Sequence, residues 1–244
     1  MRRARWRAAL LGLGAAMLAA PFAYGAAAPP LMLWAWERPE DLRFVDPARV
    51  GVAFLARTVD VDAAGRVTVR PRRQPLRVGA ATYRVAVVRL EAVPAVPPVD
   101  AVAAAIVPAL AALPGTTALQ IDFDARRSQR DFYRALIAAV QARLPPGTTL
   151  SITALASWCL GDPWLDGLPV ERAVPMLFRL GVDRDAVTRH LAGGGEWRSA
   201  RCTGDVGLST DEPVPLPAAP RAWAFHPAPW TPAALAAVER RLGR

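Results

Sequence analysis

Eight short runs rich in β-branched and aromatic residues recur along the chain, each bounded by Pro, Gly or Asp, and read as strands at 31–36, 50–59, 83–91, 118–124, 149–155, 173–178, 205–209 and 221–226. Helical patterns fall between several of them. The clearest spans 131–144, where Phe132, Leu136, Ile137, Val140 and Leu144 share one face, and it stops at Pro145-Pro146-Gly147 because proline cannot donate the next backbone bond. An Ala-rich helix at 99–113 should kink at Pro108, and shorter ones are predicted at 183–191 and 232–242. Thr231 is placed to cap the last of these, with Pro232 in its first turn.

Strands alternating with helices argue for parallel pairing under an outer helical layer. About eight strands in this length fit an α/β fold, a small (β/α)8 TIM-like barrel, with a doubly wound open sheet as the alternative. The chain is short for such a barrel, so some outer helices must be missing. The stretch 60–70, with Gly65 between Val61 and Val67-Thr68-Val69, reads instead as an inserted β-hairpin, and the Pro-rich 212–220 as a rigid connection.

Composition adds a compartment. Arg2, Arg3, Arg5 and Arg7 precede an apolar run from Ala8 to Ala20, and small residues follow Pro21, the layout of a secretory signal. Residues 1–25 are therefore expected to be a signal peptide and 26–244 a single barrel domain, exported to the periplasm or outside the cell; an uncleaved anchor is the alternative. The apolar run is too short to span a bilayer, and no transmembrane span is expected after signal removal. Loss of the four leader arginines lowers the formal charge from +9 to +5.

All 30 basic residues are arginine, a compositional bias more than a polyanion-binding surface. The clusters Arg70-Pro71-Arg72-Arg73 and Arg126-Arg127 lack interleaved aromatics, so no nucleic-acid partner is expected. Two cysteines, Cys159 and Cys202, suit one disulfide in an oxidising compartment. With two histidines at unrelated spacings, neither a metal site nor a cofactor is expected.

The fourth strand carries the most chemistry. Leu119, Ile121 and Phe123 face one way, and Gln120, Asp122 and Asp124 the other. In a barrel the polar face looks inward, and carboxylates at the strand's C-terminal end reach the mouth where such folds place their sites. An edge strand in water, or a buried ion-pair layer with an arginine, would explain the same pattern. Trp34 and Trp36 share a face of the first strand with Glu37 just beyond, while Trp158, Trp223 and His226 fall where further mouth residues are expected, as sugar-stacking planes or as packing. Ser157 lies outside a nucleophile elbow, and Gly193-Gly194-Gly195 lacks the strand that precedes a phosphate loop, which excludes serine-hydrolase and nucleotide chemistry.

Four motifs in order, LWAWERPEDL (33–42), QIDFDA (120–125), LSITALASWC (150–159) and VPMLFR (174–179), resemble an uncharacterised family of exported bacterial proteins, a domain of unknown function. More distantly, TALQIDFD (117–124) resembles the DxxDxDxE strand of the family 18 chitinase-like barrels. That resemblance places Asp124 at the acid that protonates the glycosidic oxygen, Asp122 at the preceding aspartate, Gln120 at the middle one and Thr117 at the first. The shorter Asp124 replaces a glutamate, and two acids become neutral. VPMLFR is similar to the family's sixth-strand segment, with Met176 matching, Phe178 lacking the phenol and Arg179 following. The resemblance implies a glycoside-hydrolase-like protein with a glycan substrate or ligand. Catalysis falls to Asp124 and Asp122, with Glu37 or Asp211 as a second carboxylate, and binding to Trp34, Trp36, Gln120, Trp158, Met176, Arg179, Trp223 and His226. The alternative is a glycan- or peptidoglycan-binding module that kept the barrel and lost the chemistry.

Overall fold

The computed structural model describes residues 28–93 and 96–244; the expected leader at 1–25 lies outside them. The strands are β1 (Leu31–Ala35), β2 (Glu40–Leu42), β3 (Val50–Val61), β4 (Val67–Pro71), β5 (Leu76–Val78), β6 (Arg84–Ala92), β7 (Ala118–Asp122), β8 (Thr149–Leu155), β9 (Arg172–Met176), β10 (Asp205–Ser209) and β11 (Arg221–Phe225). The large sheet runs β1-β11-β10-β9-β8-β7-β6-β3-β4, and β1 also pairs with β3, so the sheet closes on itself. All eight pairings around the closed ring are parallel, whereas β4 is an antiparallel appendage. The fold is a small TIM-like barrel, and the open-sheet alternative falls.

The eight barrel strands coincide with the eight expected runs, and the hairpin forms between β3 and β4. The outer layer is incomplete, as the length requires. Helices α1 (Val99–Ile106), α2 (Arg130–Gln141), α3 (Ala156–Gly161) and α4 (Arg184–Ala192) follow β6, β7, β8 and β9, and α5 (Pro232–Leu242) follows β11. No helix connects β1 to β3, β3 to β6 or β10 to β11 among the described residues. The α-helix predicted through 113 gives way at Val107 to a 3-10 turn, because Pro108 cannot donate. Thr231 caps α5, its hydroxyl accepting the Ala234 N–H at 3.1 Å. A small parallel pair, β2 with β5, was not expected.

Period-two alternation divides the barrel strands into two apolar sets. Outward residues such as Leu33, Val52, Ile121 and Ile152 join the helices in the main core, while Met32, Trp34, Ala53, Val85, Val87, Ala118, Val174 and Trp223 fill the interior. Bulk varies around the ring: opposite Met32, Gly51 has no room for a Cβ, which would lie 2.6 Å from the methionine sulfur. Cys159 on α3 and Cys202 form a disulfide with Cα atoms 5.9 Å apart, as the cysteine count implied. Among the described residues no helix is long and apolar enough to cross a membrane.

Candidate functional site

The C-terminal ends of the strands surround a cleft of ≈ 870 Å³. Its polar wall is built from neighbouring strands in register. Arg89 of β6 pairs alongside Asp122 of β7. Its guanidinium lies 3.0 Å from Asp122, 3.2 Å from Asp124 and 2.8 Å from Glu91. On the other side, Thr153 of β8 donates its hydroxyl to Asp122 Oδ1 at 2.8 Å. The expected polar face of strand four thus is inward, and it is also an ion-pair layer with an arginine.

The two aspartates differ in solvent contact. The Asp122 side chain is 13% exposed and that of Asp124, just past the strand end, 54%. Burial pushes the Asp122 carboxyl above its ordinary value and neighbouring Asp124 adds to the shift, while Arg89 and the Thr153 hydrogen bond oppose it. Asp122 is therefore a buried carboxyl with a raised pKa beneath a carboxyl open to the cleft.

Below this layer the polar chain continues inward. Gln120 is fully buried, accepts the Trp34 indole N–H at 3.3 Å and donates to Ser151 Oγ at 3.4 Å. Trp34 is consequently the floor of the cleft, 5% exposed, and Met176 lines the same space. Above Trp34 stands an aromatic shelf: Phe178 and Phe225 stack at 5.6 Å with 13° between planes, and Trp36 meets Phe225 edge-on at 6.4 Å. Arg179 closes that side, its guanidinium 5.5 Å from the Phe225 centroid. Glu37 reaches the rim, where its carboxylate accepts the backbone N–H groups of Arg73 and Gln74 at 3.0 and 3.1 Å.

The structure thus brings together Asp122, Asp124, Glu37, Trp34, Trp36, Met176 and Arg179 in one cleft, with Gln120 directly beneath. The other expected residues lie elsewhere. Trp158 is on the outside of the barrel, edge-on to Trp164 at 4.8 Å, because the chain turns straight from β8 into α3. Trp223 faces inward but lies beneath Trp34, donating its indole N–H to Asp205 at 2.7 Å near the opposite barrel end. His226 sits behind the rim, its Nδ1 2.6 Å from Thr210 Oγ1 and its ring against Trp230, and burial with nearby Arg38 lowers its pKa. Asp211 is held by the Ser209 hydroxyl and does not line the cleft. Arg89, Thr153 and Phe225 were missed, although the inward series Val85, Val87, Arg89, Glu91 carried the signal for the first.

No family model and no curated protein matches the chain. Among solved structures, it is similar to the chitinase domain of the spore coat protein CotE from Clostridium difficile, at 13% identity and a TM-score of 0.43, covering 78% of this chain and 68% of that one.

Proposed function

We propose that the chain is an exported carbohydrate-active barrel, of glycoside-hydrolase type, whose mouth cleft takes an envelope or extracellular glycan. The observation that carries this reading is an aromatic shelf and a solvent-facing carboxyl in one open cleft at the C-terminal end of a parallel barrel. Flat aromatic surfaces suit the apolar faces of sugar rings, and the polar wall opposite suits their hydroxyls.

In this reading Asp124 meets the substrate. It gives its proton to the glycosidic oxygen as the C–O bond breaks, and a water completes the hydrolysis. Asp122, out of solvent, acts through Arg89 and through its charge coupling to Asp124. Glu37 is the alternative acid, at the cost of its two backbone hydrogen bonds. Export is supported by the arginine-led apolar run of the sequence and by the disulfide.

One observation favours the second reading, a binding module without turnover: Arg89 ion-pairs with both aspartates, so the carboxyl that would meet a glycosidic oxygen is already engaged. The two readings separate in one experiment, in which a panel of envelope and extracellular glycans is assayed for binding and for released reducing ends with the wild type and Asp124→Asn. For the enzyme, the substitution lowers turnover by about 10²- to 10⁴-fold while binding persists. Binding without turnover in the wild type selects the module; turnover unchanged in Asp124→Asn removes Asp124 from the chemistry.

A further inference from the structure

Two arginines that line the cleft, Arg179 and Arg73, form no side-chain ion pair among the described residues. Arg179 has a φ of 50°, unique among the described non-glycine residues in lying in the left-handed region. A side-chain-bearing residue stays there only where its surroundings hold it, and such positions cluster at functional sites. Glu212 does the holding: its two carboxylate oxygens accept the Arg179 backbone N–H at 3.1 and 3.0 Å, and Arg184 fixes that carboxylate at 2.6 Å. The result is a guanidinium over Phe225, in the cleft, close enough to Asp211 to lower its pKa but with no acid within ion-pair distance among the described residues.

Arg73 is arranged by the same logic on the rim. Glu37 accepts its backbone N–H, and its guanidinium likewise has no ion-pair partner among the described residues. The contrast within the cleft is direct, since Arg38, Arg70 and Arg89 are matched to acids at 2.7, 2.7 and 3.0 Å. In both cases a nearby glutamate holds the arginine's backbone N–H and not its guanidinium. A guanidinium carried on an anchored main chain at the cleft and left without an ion-pair partner is open to pair with a ligand carboxylate.

We propose that the cleft selects an acidic glycan, with Arg179 and Arg73 pairing with carboxylate groups of uronate-type sugar residues. This inference rests on the glycan reading of the same cleft and names its substrate class. The test is calorimetric titration of the whole chain with galacturonate and mannuronate oligosaccharides, neutral chito-oligosaccharides of matched length, and polyaspartate as an anion without sugar.

A uronate oligosaccharide should bind at least about tenfold more tightly than the neutral one, in proportion to a charged hydrogen-bonded pair. Arg179→Gln and Arg73→Gln should each lose about tenfold for the uronate and nothing for the neutral sugar, whereas Arg240→Gln, on the outer helix α5, should bind as wild type. Because glutamine carries the same backbone restriction as arginine, Arg179→Gln adds no new strain, and Arg73→Gln tests the idea independently of it. Equal affinity for neutral and acidic sugars, wild-type binding by both cleft variants, or polyaspartate binding as tightly as the uronate each overturns the proposal while leaving the glycan reading standing. Failure of every sugar to bind overturns both.

Discussion

Trp34 is the residue whose replacement separates the cleft as architecture from the cleft as binding surface. Its indole is 5% exposed, its N–H is satisfied by Gln120 Oε1 at 3.3 Å, and its ring centroid lies 6.1, 6.4 and 6.5 Å from those of Phe178, Trp223 and Phe225. Trp34→Ala removes this packing and should cost about 3–5 kcal/mol, the range for deleting a buried aromatic. At roughly 2–4 °C per kcal/mol for a domain of this size, the midpoint should fall by about 8–16 °C for a loss near 4 kcal/mol. Trp34→Phe keeps most of the burial but strips the donor from Gln120, for about 1–3 kcal/mol. Trp36→Ala, at a half-buried position on the rim, should cost under about 1 kcal/mol. Urea and thermal unfolding of the three variants give the ranking. A loss below about 1 kcal/mol in Trp34→Ala would show that the barrel interior does not close on this ring, and the reasoning would fail.

Two further outcomes follow from other parts of the molecule. Reduction of Cys159–Cys202 frees a loop with sequence separation 43 and should lower stability by about 4 kcal/mol in the chain-entropy model, read as a shift in urea midpoint with and without reductant; no shift would show that the bridge does not constrain the unfolded chain. Because the folded Asp122 pKa lies above the ordinary 3.8, the native state binds more protons than the unfolded one between those values, so this group's contribution is full below 3.8 and is lost as pH rises through the folded value. Relative to the wild type, Asp122→Asn should therefore gain stability with rising pH and show no pH trend below about 3.8; a flat difference across the range would contradict the burial argument.

Much of the barrel was legible because its strands obey simple rules. Each is a short β-branched run between breakers, and eight such runs with intervening helices leave few topologies. Gln120, Asp122 and Asp124 were found by period two alone, since three polar side chains on one face of an otherwise covered strand have to look at something polar. Alternation gives the face but not the depth, which is why Trp223 and Trp34 were expected at the mouth when one lies below the other inside the barrel. Trp158 was misplaced for a different reason: it begins a helix, so strand alternation no longer governs its direction. The pair β2 and β5 has three residues per strand, too few to show a period. For Arg89, alternation with Val85 and Val87 marks the inward face, but its pairing with Asp122 does not follow, because register between strands is written in no local pattern.

The central claim, that the mouth cleft holds a glycan against its aromatic shelf, is tested most directly by titrating the wild type and Trp36→Ala with the glycan panel while following intrinsic tryptophan fluorescence. The account predicts saturable binding by the wild type with a change in emission, and at least a roughly severalfold weaker association in a Trp36→Ala protein that remains folded, because the shelf loses the apolar area of one ring. Absence of saturation with every glycan, or equal affinity in Trp36→Ala, would contradict it.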